Sequence, residues 1–292
     1  MRRRSFLGLG VAGALGLLAA SADASVGATH ELKPKSAPYP APNGKYTDST
    51  VLVHVPSFFS VPESKKVDFV VHFHGHMTTA KAAIAAHKLR EQLEASRQNA
   101  VLVVPQGPVR AADGDFGKLM LKGGLARLLG EVRRQVPALR AAKQTGRVVL
   151  SAHSGGYRAA AACSEQGGVD VREIYLFDSL YGEVESFVRF VTDDPDHHKL
   201  VSYSVGGRPR ELGAELASRL ESRGVDVLRE TGAKKVTRGE LVDATAAFLF
   251  GHATHASATY EELALRDCLF ASCLKGKGSR SWHKKRDAAR AS

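Results

Sequence analysis

The chain has 292 residues, of which 43% are hydrophobic and 24% charged, enough apolar material for one large α/β domain or two small ones. Its net charge of +11 is unevenly spread: residues 1–24 carry +2, residues 275–292 carry +6, and only +3 is left between them. A mildly basic body with a basic tail does not describe a nucleic-acid-binding face, and three cysteines without C-x-x-C spacing make neither a disulfide scaffold nor a zinc ribbon.

In chain order, Arg2-Arg3-Arg4 precede Ser5-Phe6-Leu7 and an apolar run ending near Ala20. With small residues at Ala22 and Ala24, residues 1–24 read as a twin-arginine signal peptide cleaved after Ala24. The run is too short and glycine-rich for a stable membrane anchor. The expected location is therefore periplasmic or secreted. Residues 25–47, with prolines at 34, 38, 40 and 42, read as an extended lead-in. Strands are expected at 51–55, 67–73 and 100–104, with one amphipathic helix over 78–98 between the last two. A second helix is expected over 118–135, then a strand at 148–150. Further strands fall at 174–177, 200–205 and 225–228, with helices at 183–191 and 210–222. Residues 239–250 fit a helix or a strand, and 260–269 read as a closing helix. The tail 273–292 is basic and expected to be disordered. Cys268 and Cys273 are close enough in sequence to pair, with Cys163 buried.

Strands alternating with helices predict a mostly parallel, doubly wound sheet in a single domain spanning 48–272. Right-handed crossovers place all the strand C-terminal ends on one edge, where ligands of such sheets bind. His74, Ser154 and Asp178 each fall just after an expected strand.

Ser154 lies in Ala152-His153-Ser154-Gly155-Gly156, between an apolar β-branched run and an alanine-rich helical stretch. A serine hydroxyl is a poor nucleophile unless a turn exposes it beside a base and backbone N–H donors. Ala152 stands where such turns usually have glycine. Asp178 ends an apolar strand, where a carboxylate needs a partner or caps the next helix. His252 and His255 follow the last expected strand; His255 is preferred as base because it lies nearer the closing helix. His197 and His198 sit in a polar turn.

With His74-Gly75 after an early strand, the serine turn and a late histidine, the chain resembles the α/β-hydrolase superfamily over roughly residues 48–272. His-Gly, Pro105-Gln106-Gly107 and the serine turn are loosely similar to secreted esterases of the depolymerase and feruloyl-esterase kind. The resemblance implies a Ser154, His255 and Asp178 triad, with oxyanion donors from Gly155 and from the His74-Gly75-His76 turn. The superfamily's acid more often follows the next strand, which here offers no carboxylate before Glu211. The activity so implied is that of an exported serine hydrolase of small-molecule or polymer esters, with peptidase activity as the nearest variant, needing no metal or cofactor. Two other readings stand beside it: a non-catalytic binding protein on the same scaffold, and a zinc hydrolase using His72, His74 and His76. Oligomeric state is not legible.

Overall fold

The computed structural model describes residues 27–42, 44–230, 236–261 and 265–277. The expected signal peptide and tail residues 278–292 lie outside them. Among the described residues, nine strands form one sheet: β1 (Ala28–Leu32), β2 (Val51–Val55), β3 (Lys66–Phe73), β4 (Ala100–Pro105), β5 (Gln144–His153), β6 (Asp170–Phe177), β7 (Lys199–Ser204), β8 (Val227–Arg229) and β9 (Ala246–Phe250). Their order is β1-β2-β4-β3-β5-β6-β7-β9-β8. The pairs β1–β2 and β2–β4 are antiparallel, and the remaining pairs are parallel. The mostly parallel, doubly wound sheet is thus what the alternation predicts.

Central strands bury both faces, so their period of two sends alternate side chains into two cores. Phe69, Val71, Val148 and Leu150 face one core, packed with α3 (Gly124–Gln135), α4 (Tyr157–Gln166), α5 (Val184–Asp193) and α6 (Gly207–Glu221). Val70, Val149, Tyr175 and Phe177 face the other, with α1 (Ala80–Ala86), α2 (Leu89–Ser96), α7 (Arg238–Asp243) and α8 (Leu265–Phe270).

Several elements differ from the sequence expectation. The lead-in contributes a strand, since Ala28–Leu32 pairs in register along β2. The helix expected over 78–98 is two, because the chain turns through His87 and left-handed Lys88 (φ 49°). The stretch 118–135 opens with a 3-10 turn, Gly117–Met120; a Cβ on Gly124 would lie 2.2 Å from the Lys118 carbonyl, so only glycine allows the tight entry to α3. Residues 239–250 hold a helix and a strand in succession, α7 starting at a Thr237–Glu240 capping box. Among the described residues, the closing helix runs over Leu265–Phe270. Cys163, Cys268 and Cys273 are all buried and none is in a disulfide, so the expected pairing is not made; burial pushes Cys163 up to about 12.

The strand order positions the site. From β3 the chain leaves toward β4, and from β5 it leaves toward β6, on the opposite side. The loops after β3 and β5 therefore diverge and open a crevice at the carboxyl ends of these paired strands.

Candidate active site

Ser154 follows β5 with φ 52°, and the chain passes at once through Gly155 and Gly156 into α4. This left-handed backbone costs a non-glycine residue on the order of 1–2 kcal/mol, and it thrusts the side chain out of the turn. Ala152 is still inside the strand, so its methyl group meets no such strain. Gly156 must be glycine, since a Cβ would lie 2.4 Å from the Phe73 carbonyl oxygen. Gly75, after β3, packs on the elbow: a Cβ there would lie 2.8 Å from Ser154 Cβ. His76 is exposed and covers Gly155, whose added Cβ would lie 2.1 Å from His76 Nε2.

Asp178, just past β6, also has a left-handed backbone (φ 46°). Its N–H donates to the Tyr203 carbonyl at 2.7 Å, and its Oδ1 accepts the Val205 N–H at 3.0 Å. Oδ2 accepts from His255 Nδ1 at 2.5 Å. The carboxylate is buried while the His255 side chain is 46% exposed. Asp178 caps no helix, because α5 begins after Glu183. Since the carboxylate only accepts, the His255 proton sits on Nδ1 and leaves Nε2 as a bare base. His252 is exposed, three residues earlier in the same loop.

His74 is buried behind the Gly75 turn. The Gly107 N–H donates to its Nε2 at 2.9 Å, so its own proton is on Nδ1, which donates to the Gly75 carbonyl at 2.8 Å. The Gln106 amide approaches Nε2 at 3.1 Å, and its oxygen accepts the Ala80 N–H at 3.0 Å. A trans peptide points its N–H opposite to its C=O. Holding the Gly75 carbonyl inward therefore turns the His76 N–H outward.

His72 is fully buried and bonds Ser151 Oγ through Nδ1 at 2.9 Å. With both His74 nitrogens occupied as well, the three histidines do not converge as ligands, and no group of three His, Cys, Asp or Glu among the described residues could hold a metal. The zinc alternative is set aside on that geometry. Burial drives His74 and His153 down to about 4 and His87 to about 3, and His72 well below its ordinary value.

Ser179, His87 and His153 were given no role from sequence, and Gln106 only its place in Pro105-Gln106-Gly107. Ser179 Oγ donates to the Ser154 carbonyl at 2.7 Å, tying the β6 loop to the elbow. Gln106 braces His74, and His87 and His153 pack beside the site. Only Gln106 and Ser179 carried a signal, as polar residues right after strand ends.

No protein-family profile matches the chain, and no curated protein sequence matches it. Solved structures do. A mutant of the feruloyl esterase module of Clostridium thermocellum, complexed with sinapinate, is similar at 11% identity and TM-score 0.52, over 88% of this chain and 92% of that one. A ferulic acid esterase is similar at 14% identity and TM-score 0.52, over 84% and 96%. The S-formylglutathione hydrolase FrmB of Staphylococcus aureus is similar at 10% identity and TM-score 0.51, over 83% and 94%. At these identities the likeness is one of fold: the chain has the α/β-hydrolase fold shared by these esterases and hydrolase.

Proposed function

We propose that this chain is an exported serine hydrolase of carboxylic esters, with Ser154 as nucleophile, His255 as base and Asp178 as the acid that orients it. The observation that carries the reading is the 2.5 Å bond from His255 to a buried Asp178 on the sheet edge where Ser154 stands. Ser154 Oγ attacks the acyl carbon as its proton passes to His255 Nε2. The resulting oxyanion is met by the N–H of Gly155 and that of His76, each such donor contributing about 3 kcal/mol to the transition state. Collapse expels the alcohol, which takes the proton from His255. Water, deprotonated by His255, then attacks the acyl-serine and releases the acid. Throughout, Asp178 keeps the Nδ1 proton in place and balances the charge on the imidazolium.

The half-exposed base and the exposed Met77 and Tyr181 (67% and 39%) suit an ester approached from an open surface, a small molecule or a polymer chain end. Tyr157, whose ring lies 6.3 Å from that of Tyr181, adds to an apolar rim for an aromatic or acyl group. Residues 1–24 would direct export by the twin-arginine route to the periplasm or beyond; among the described residues no helix is long and apolar enough to cross a membrane.

The test is labelling of the mature protein by a fluorophosphonate probe, with Ser154→Ala, His255→Gln and His252→Gln alongside. The expected result is labelling lost in Ser154→Ala and His255→Gln and kept in His252→Gln. Absence of labelling in the wild type, where a control esterase labels, would favour the non-catalytic binding protein.

A further inference from the structure

His153 lies immediately before Ser154, and its ring is gripped on three sides. Its Nε2 is 2.7 Å from the main-chain oxygen of His255. Its ring lies 4.7 Å from the His255 ring on one side and 4.5 Å from the His87 ring, edge-on, on another. Gly75 closes the third side, where an added Cβ would lie 3.2 Å from His153 Nδ1. A carbonyl can only accept, so the bond to His255 needs the proton on Nε2. With its ordinary value pushed down to about 4, chiefly by burial, the ring carries a single proton at neutral pH, and that proton makes the bond.

The loop it holds has no helix or strand between Gly251 and Glu261. The Gly251 N–H donates to the Ser204 carbonyl at 3.1 Å at one end, and Gln92 Nε2 donates to the Thr259 carbonyl at 3.0 Å at the other. Between these anchors His255 is tied twice, through its side chain to Asp178 and through its carbonyl to His153. The first bond leaves the imidazole free to swing with its own backbone, whereas the second pins that backbone to the rigid end of β5.

We propose that His153 is a positioning residue: its Nε2–H holds the main chain of His255 and thereby sets the reach of the His255 imidazole to the Ser154 hydroxyl. This role rests on the triad reading of Ser154, His255 and Asp178. Misplacement of a base by about 1 Å costs on the order of 100-fold in rate, so loss of one such tether has a measurable effect.

The experiment compares the mature wild type with His153→Phe, which keeps a ring without a donor, and with His153→Gln, whose amide N–H can donate. Turnover and KM for a p-nitrophenyl ester, the rate of fluorophosphonate labelling and the thermal midpoint are read for each. His153→Phe should lose about 30- to 100-fold in kcat and labelling rate with KM within about threefold, and His153→Gln should recover at least about tenfold of that loss. His153→Asn, too short to reach the carbonyl, makes the same comparison if the phenylalanine variant does not fold. In the wild type, nitrogen-15 NMR should find the His153 proton on Nε2. The role is overturned by wild-type kcat in His153→Phe, by equal losses in the glutamine and phenylalanine variants at equal midpoints, or by a proton on Nδ1. A wild type that neither labels nor hydrolyses defeats the triad and this role together, whereas a labelling wild type with an indifferent His153→Phe defeats this role alone.

Discussion

Acidification acts first on the histidines that the fold buries without charge. His74, His87 and His153 are pushed down to about 4, 3 and 4, in each case mainly by burial, and His72 moves the same way. In the unfolded chain each returns to about 6.5. Between the folded and unfolded values the unfolded chain binds more protons, so stability is full above about pH 6.5 and falls as the pH drops toward 4. From pH 7 to pH 5 this linkage amounts to roughly 2 kcal/mol for each of His74, His87 and His153, about 6 kcal/mol together. A loss of that size rivals the whole stability of an ordinary domain. Urea unfolding followed by far-ultraviolet circular dichroism at pH 7, 6 and 5 measures it. His87→Leu, which removes one of the protons without opening the site, should make the change smaller by about 2 kcal/mol. A wild-type stability that moves by less than about 1 kcal/mol between pH 7 and pH 5 would refute the reasoning, since it would mean these rings take up protons in the folded state as readily as in the unfolded one.

Other consequences are as direct. Ser154→Gly should abolish labelling yet raise stability by about 1 kcal/mol in urea, because glycine adopts φ 52° without strain. Asp178→Asn should lower kcat by about four orders of magnitude with a small change in KM, since an amide no longer fixes the Nδ1 proton of His255. Gly107→Ala places a Cβ 2.4 Å from Phe116 Cζ and should cost about 1–3 kcal/mol in urea unfolding, with weaker bracing of His74. A reducing agent should leave the thermal midpoint unchanged, because none of the three cysteines is in a disulfide.

Legible in the sequence is whatever has a local or periodic cause. Continuous apolar runs separated by helical stretches define the parallel sheet, and the rule that ligands bind at strand carboxyl ends leads to His74, Ser154 and Asp178 without any knowledge of contacts. The loop position of His255 follows from the same ordering, although its bond to Asp178 spans 77 residues and leaves no local trace. Less legible is everything decided by packing at long range. His87 falls within an alanine-rich helical period, and nothing in that period says that the helix breaks there or that the ring enters beside His153. The β1 strand is five residues next to a proline-rich stretch, and only its register on β2 makes it a strand. His153 reads in sequence as a spacer between Ala152 and Ser154; its bond to His255 joins residues 102 apart.

The three thiols bear on the conditions this fold tolerates. Cys163, Cys268 and Cys273 are buried without a disulfide, and burial raises Cys163 and Cys268 far from the thiolate form that exchanges or is oxidised. No cross-link among these thiols contributes to the finished fold. The finished fold is indifferent to the redox poise of whichever compartment receives it.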